Sequence, residues 1–274
     1  MPYNSYRALN FILAAFIIAF AFSAIGCAGG TEVGNPVSVP GGGEDIVELT
    51  EFELMALCVS SQPTPPAELA DLFEDDITNI RSQSYEEMTA SGLIPDTSIT
   101  FTPPWKPGKI IVGFDDFTAE LVAAGQYHIW DDLNSRFYLK EIDLSSIDYG
   151  LALLEFNNKS IHPGYIAEQY QTLFGINYAE KVSYVGDCSN IYPYIPEYNE
   201  SGISLGNIND SIRYYVFRKG DGDCQSGCTI NDYWLFSADA DGIKYMGYYN
   251  PDESPEKPDW WGIAQKAINL YRTY

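Results

Sequence analysis

The stretch Lys109-Ile110-Ile111-Val112-Gly113-Phe114 decides the fold, because it is an almost continuous apolar run of strand length. Leu151-Ala152-Leu153-Leu154-Glu155-Phe156 is a second run of the same kind. Runs of this type are typical of strands that have a neighbouring strand on each side. We therefore predict that both runs lie at the centre of one sheet.

Helical and strand patterns alternate between the two apolar runs. Residues 118–124 have helical spacing that stops at Gly125, and residues 137–144 are typical of a half-polar strand. The chain from the first run to the second therefore predicts the order strand, helix, strand, strand.

A second helix and a last strand are predicted after the second run. The helix begins at Pro163 and ends at Gly175, and residues 178–185 alternate as an edge strand does. The resulting order, β-α-β-β-α-β, places the first and third strands at the centre of the sheet. We therefore predict an α+β fold class with a ferredoxin-like domain over residues 105–186. The second helix is expected to bury four side chains, those of Ile166, Tyr170, Leu173 and Phe174.

Cys27 closes a segment that resembles the export signal of bacterial lipoproteins. Arg7 supplies a positive charge, residues 9–22 are almost wholly apolar, and Ala24-Ile25-Gly26 precedes the cysteine. In that family the signal is cleaved before the cysteine, whose thiol then carries diacylglycerol. The resemblance implies a signal peptide over residues 1–26 and a lipid-anchored body in the cell envelope, outside the cytoplasm. Ala28 is a hint of sorting to the outer membrane.

Two alternatives to lipidation remain open, namely cleaved secretion without a lipid and a retained membrane anchor. The apolar run of 14 residues is short for an anchor, because a helix needs about 20 apolar residues to cross a bilayer. All three interpretations place the body outside the cytosol.

The body after Cys27 is strongly acidic. It has 14 lysines and arginines, which are the 15 of the chain less Arg7, against 38 acidic residues, so its formal charge is −24. Repulsion from phosphate excludes nucleic acid as a partner. A high negative charge favours solubility, and it also attracts cations and basic ligands. The hydrophobic content of 46% indicates a packed core rather than a disordered tail.

Four cysteines remain for disulfides if Cys27 is lipidated. An even number in an oxidising compartment favours two bridges, and four cysteines allow three pairings. Cys224 and Cys228 are separated by only three residues and can bridge locally, which leaves Cys58 to pair with Cys188. Zinc is the competing interpretation of the close pair, although the chain has only 2 histidines to complete such a site.

Composition divides the rest of the chain into three parts. Residues 27–43 are rich in Gly, Pro, Ser and Thr and are predicted to be a flexible tether. Residues 44–104 are predicted to form a helical segment of two helices, and the acidic run Glu74-Asp75-Asp76 is expected on its solvent face. Residues 187–274 are predicted to form a β-rich subdomain with a disulfide. Its elements are strands at 212–217, 233–237 and 243–249 and a closing helix at 260–274.

Two further stretches carry a resemblance. Residues 107–114 resemble the opening strand of the propeptide and inhibitor domains of subtilisin-like proteases, and residues 173–180 resemble the turn into their last strand. This resemblance implies inhibition of a protease as an alternative function. Residues 222–228 resemble Gly-Asp-Cys-x-x-Gly-Cys segments of exported bacterial proteins without an assigned activity.

Candidate chemistry is sparse. Asp221 and Asp223 are weak candidates for calcium ligands, and so are Asp239 and Asp241, since aspartates in glycine-rich turns usually bond their own backbone. His162 is expected to cap a helix and His128 to lie in the core, so the chain offers few residues for a catalytic base. An envelope hydrolase is therefore the third of the predicted functions. The surplus of tyrosines is expected to pack in the sheets rather than to form a binding face.

We therefore predict a cell-envelope lipoprotein with a non-catalytic binding or structural role. No cofactor is expected. The predicted partners are the membrane, through the lipid anchor, and a protein or peptide ligand of unknown identity.

Overall fold

The computed structural model describes residues 48–82, 98–184, 189–201, 205–221, 228 and 230–272. The predicted signal peptide, most of the tether and Cys27 lie outside these residues. The helices are α1 (Glu51–Ser60), α2 (Ala67–Ser82), α3 (Asp116–Ala123), α4 (Asp131–Arg136), α5 (Pro163–Gln171), α6 (Pro196–Ser201) and α7 (Trp261–Arg272). The strands are β1 (Trp105–Phe114), β2 (Leu139–Asp143), β3 (Leu151–Phe156), β4 (Ile176–Ser183), β5 (Asn190–Tyr194), β6 (Arg213–Asp221), β7 (Ile230–Asp239) and β8 (Gly242–Tyr249).

These strands form two antiparallel sheets of four strands each, so the predicted α+β class is confirmed. The first sheet has the order β2-β3-β1-β4, and every neighbouring pair is antiparallel. Its two central strands are the two apolar runs, as predicted. The second sheet is a meander with the order β5-β6-β7-β8. Its first strand, β5, is not predicted by the sequence patterns.

Helices α3, α4 and α5 share one hydrophobic core with the first sheet. Ile110 and Val112 of β1 are fully buried, and so is Tyr170 of α5. The Tyr170 hydroxyl donates a hydrogen bond of 2.6 Å to Oδ1 of Asn134 in α4, which satisfies both buried polar groups. The helices therefore cover one face of this sheet.

Helices α1, α2 and α7 pack on the second sheet in a second hydrophobic core. The predicted helical segment thus shares its core with the C-terminal sheet. Helix α1 begins with a capping box, in which Thr50 and Glu53 bond each other's backbone amides. Glu51 of α1 accepts two hydrogen bonds from Arg81 of α2, at 3.0 and 2.8 Å, which joins the two helices. Among the residues described, no helix has the length and apolar character to cross a bilayer.

Asp76 corrects the expectation for the acidic run of α2. Glu74 and Asp75 are exposed as predicted, but Asp76 is only 6% exposed. Its carboxylate accepts hydrogen bonds from Arg213 of β6 at 2.7 and 3.1 Å and from the Tyr215 hydroxyl at 2.5 Å. The carboxylate is buried because a cation from the second sheet neutralises it.

Candidate functional site

The candidate site lies at one end of the first sheet, where β1 and β2 end and β3 and β4 begin. Two backbone hydrogen bonds hold this end together. The Phe114 amide donates to the Gly150 carbonyl at 2.8 Å, and the Asp115 amide donates to the Gly175 carbonyl at 3.0 Å. The turns that lead into β3 and β4 therefore flank the end of β1 on its two sides.

Three aromatic side chains project from this end into solvent. Phe117 in the first turn of α3 is 64% exposed, Tyr149 before β3 is 80% exposed, and Phe174 before β4 is 74% exposed. They are the most exposed of the large hydrophobic side chains in the described part of the protein. Helix α3 also contacts the short 3₁₀-helix Ile147–Tyr149. Several exposed aromatic side chains at one end of a sheet are typical of an interaction site.

The charge of this end is entirely negative. Asp116 and Asp148 are exposed and directly precede Phe117 and Tyr149 in the chain. Among the described residues, neither carboxylate forms an ion pair or a side-chain hydrogen bond. No lysine or arginine occurs in the three stretches of chain that build this end, which are residues 110–135, 141–158 and 160–180. We call the three aromatic and two aspartate side chains the acidic aromatic surface.

The backbone beneath this surface is held firmly. Asp115 caps α3, because its side chain accepts a hydrogen bond of 2.7 Å from the Thr118 amide. Gly175 has a φ of +82°, and a Cβ added there would lie 2.0 Å from Oγ1 of Thr118. The buried Tyr127 hydroxyl donates a hydrogen bond to the Phe174 carbonyl. Burial, together with the charge of Asp115, raises the pKa of Tyr127, which keeps this donor protonated.

Phe174 corrects a prediction, since its helical spacing had placed it on the buried face of α5. The helix ends at Gln171, so Phe174 lies in the turn that follows and points away from the core. A sequence signal for this arrangement does exist. Tyr149 and Phe174 each precede a glycine of positive φ that leads into a strand, namely Gly150 and Gly175.

The structure does not contain the predicted Cys58–Cys188 bridge. Cys58 is a free thiol, and Cys188 lies outside the described residues. Cys228 is buried and disulfide-bonded, with its partner outside the described residues. The Cys224–Cys228 bridge therefore stays a prediction, and so does lipidation at Cys27.

The Cys58 thiol is a buried, neutral group. It lies in α1 within the core of the second sheet, and burial raises its pKa well above the ordinary value. The nearby Lys181 ammonium and a hydrogen bond with Tyr271 act in the opposite direction but do not outweigh burial. A buried neutral thiol behaves as a small apolar side chain.

The candidate calcium ligands are not brought together within the described residues. Asp221 is exposed at the end of β6, and Asp223 lies outside the described residues. Asp239 accepts a hydrogen bond of 2.8 Å from the Asp241 amide, which is the turn bonding expected of such aspartates. In the part of the chain that the structure describes, no three His, Cys, Asp or Glu side chains group as metal ligands do.

The two histidines have different environments. Nδ1 of His162 accepts a hydrogen bond of 3.0 Å from the Gly164 amide, so the predicted capping role is confirmed. Burial lowers the pKa of His162 to about 4, with a smaller contribution from Lys181. The prediction that His128 lies in the core is wrong. Its side chain is 75% exposed, and its Nδ1 lies 3.0 Å from Oδ2 of Asp131.

The tyrosines of the second sheet pack as expected. Five of them are buried, which are Tyr192, Tyr194, Tyr215, Tyr233 and Tyr249. A cavity of about 320 Å³ opens beside Tyr248 and Asn250. The Tyr248 hydroxyl and the Asn250 amide both donate to Oδ1 of Asp232, at 2.5 and 2.9 Å, so they already satisfy one another.

Comparison of the chain with known protein families, curated proteins and solved structures found no match. The function is therefore inferred from the geometry and chemistry of the residues themselves.

Proposed function

We propose that this protein is a lipid-anchored binding protein of the cell envelope, with a non-catalytic role. Diacylglycerol on Cys27 holds the chain at a membrane outside the cytoplasm, and the tether at residues 27–43 separates the body from the membrane. The body binds a partner protein through the acidic aromatic surface.

One observation carries the binding role. The three most exposed large hydrophobic side chains in the described part of the chain all lie at the same end of the first sheet. Isolated exposed apolar residues are normal, but several exposed aromatic rings at one end of a sheet favour a partner, because covering them removes apolar surface from water. The caps and hydrogen bonds beneath the rings reduce the conformational entropy that binding would otherwise cost.

We also propose that the first sheet and its helices form a ferredoxin-like domain. The strand order β2-β3-β1-β4 and the antiparallel pairing support this proposal. In this arrangement the two connections that carry helices both cross the same face, so the opposite face is left without helices.

The open face of the first sheet favours a second candidate, the inhibition of a subtilisin-like protease. Ile111, Leu153 and Tyr178 are half-buried and alternate with core residues, so they lie on the face opposite the helices. Tight inhibition of a subtilisin-like protease by the full chain, with loss of inhibition in an Ile111→Asp variant, would favour this function over the first.

Site-specific photo-crosslinking in the producing cells tests the binding role. Replacement of Tyr149 or Phe174 by p-benzoylphenylalanine should give one shared adduct, identified by mass spectrometry. The same replacement at Ile212 or Ile230 is the matched control, because both are 46% exposed and lie elsewhere. A Phe117→Ala change should weaken the adduct. Equal crosslinking at the control positions, or none at the surface, would disprove the role.

The anchor has its own test. Cells grown with a labelled fatty acid should incorporate the label into the wild-type chain but not into a Cys27→Ser variant. A wild-type chain that carries no label and retains Met1 would disprove lipidation.

A further inference from the structure

We propose that the partner presents an arginine-rich segment to the acidic aromatic surface, an inference that rests on the proposed binding role. Arginine side chains of this segment stack on Phe117, Tyr149 and Phe174 and form ion pairs with Asp116 and Asp148. The surface thus recognises both the charge and the planar shape of the guanidinium group.

The unpaired carboxylates of Asp116 and Asp148 disfavour a neutral partner. Asp116 and Asp148 directly precede two of the rings, so a partner that covers the rings also removes water from the carboxylates. Burial of an unpaired carboxylate costs several kcal/mol, which exceeds the roughly 1.5–3 kcal/mol gained by burying one aromatic side chain. A partner therefore has to supply cations, because the three stretches that build this end contain no lysine or arginine.

The pairing of ring and carboxylate favours arginine over lysine. A guanidinium group is planar, so it stacks on an aromatic ring while its N–H groups donate to a carboxylate. A lysine ammonium is a compact, strongly hydrated charge and makes only one of these contacts well. A cation over an aromatic ring contributes about 0.5–1 kcal/mol at an exposed site and about 2 kcal/mol when water is excluded.

The backbone geometry sets the spacing of the ligand. The carbonyls of Gly150 and Gly175 accept hydrogen bonds from two consecutive residues at the end of β1, Phe114 and Asp115. Neighbouring strands are about 4.8 Å apart, so the turns that carry Tyr149 and Phe174 are about 10 Å apart. A polyproline II chain advances about 3.1 Å per residue with three residues per turn, so side chains three residues apart lie on one face at about this distance.

The test uses the full chain in a nonionic detergent and fluorescein-labelled (Arg-Gly-Ser)₄ as the probe, followed by fluorescence anisotropy. The matched probes are (Lys-Gly-Ser)₄ and (Gln-Gly-Ser)₄. We expect the arginine peptide to bind more tightly than the lysine peptide, and the glutamine peptide to bind at least about tenfold more weakly. Binding of the arginine peptide should weaken when the salt concentration is raised.

Two double variants locate the binding. Asp116→Asn with Asp148→Asn should weaken binding of the arginine peptide about tenfold. The control, Glu74→Gln with Asp75→Asn, changes the net charge equally at exposed positions of α2 and should change the affinity less than twofold, about 0.4 kcal/mol. A Tyr149→Ala, Phe174→Ala variant separates stacking from charge and should also weaken binding.

Equal affinity of the glutamine and arginine peptides, or equal loss in the two charge variants, would overturn the arginine proposal. If Tyr149 and Phe174 still crosslinked one partner in cells, the binding role would stand and the partner would be of another chemistry. If no partner were crosslinked while the peptide still bound, the binding role would fail and the surface chemistry would stand.

Discussion

Replacement of Asp76 with asparagine should destabilise the protein by about 3–5 kcal/mol, because it breaks a buried ion pair and leaves a buried cation. The Arg213 side chain is only 4% exposed. Its counter-charge is the Asp76 carboxylate, whose Oδ2 lies 2.7 Å from Nε of Arg213. Burial lowers the pKa of Arg213, but the hydrogen bond and charge of Asp76 raise it on balance, so the guanidinium stays charged. Asparagine keeps the shape of the side chain and removes the charge.

The remaining contacts set the size of this effect. Arg213 keeps two carbonyl acceptors in the variant, those of Asn209 at 3.2 Å and Ser211 at 3.0 Å. Hydrogen bonds to carbonyl groups satisfy its N–H groups, but they do not replace the lost Coulomb attraction. A domain is stable by only about 5–15 kcal/mol, so this single change removes a large share of the total.

Urea unfolding followed by circular dichroism measures the change. The matched control is Asp75→Asn, the exposed neighbour on the same helix, which should change the free energy of unfolding by less than about 0.5 kcal/mol. Arg213→Gln completes a double-mutant cycle. The free energy of unfolding lost in the double variant should be at least about 1 kcal/mol smaller than the sum of the losses in the two single variants, because no charge is then left unpaired. If Asp76→Asn lowered the free energy of unfolding by no more than Asp75→Asn, the buried ion pair between α2 and β6 would be disproved.

Three further predictions follow from the same contacts. The His162 pKa of about 4 lies below the ordinary 6.5, so the unfolded chain binds the proton first and stability should fall by up to about 3 kcal/mol as pH decreases from 6.5 to 4. His162→Asn keeps the cap and should flatten the wild-type slope between pH 6.5 and 5 in urea titrations; identical slopes would refute this. Gly175→Ala should lower the free energy of unfolding by more than Gly125→Ala, because both positions have positive φ, which costs about 1 kcal/mol, but only a Cβ at Gly175 would clash with Thr118. Equal losses in the two variants would contradict this packing. Cys58 should resist N-ethylmaleimide in the native protein and react in concentrated urea without reductant, as mass spectrometry can detect; a requirement for reductant would show a disulfide instead.

Local sequence patterns predicted most of the secondary structure. The two apolar runs are β1 and β3, and helix α7 lies within the predicted closing helix. These predictions succeeded because the periodicity of apolar residues depends only on near neighbours in the chain. Strand β5 was missed because it is short and contains Pro193, which argues against a strand. Helix α4 was missed because its six residues begin without a side-chain cap.

The candidate surface was predictable only in part. The acidic character and the lack of lysine and arginine over residues 110–135 are visible in the sequence. The exposure of Phe174 was not predicted, because its helical spacing continues past the point where α5 ends; the glycine that follows it, Gly175, is a local signal of the turn. The register of β1 with its neighbours brings the turns at Gly150 and Gly175 together, and that register is a property of the assembled sheet.

The sequence by itself determined the periodicity of the strands and helices, the central position of the two apolar runs, the acidic charge and the predicted lipid site at Cys27. Only the tertiary structure decided which polar groups meet. Asp76 and Arg213 are 137 residues apart, and Cys58 is buried by helices and strands from both ends of the described chain. Period and charge are local properties of a chain, whereas the burial of a carboxylate or the exposure of a ring depends on partners that only folding brings near.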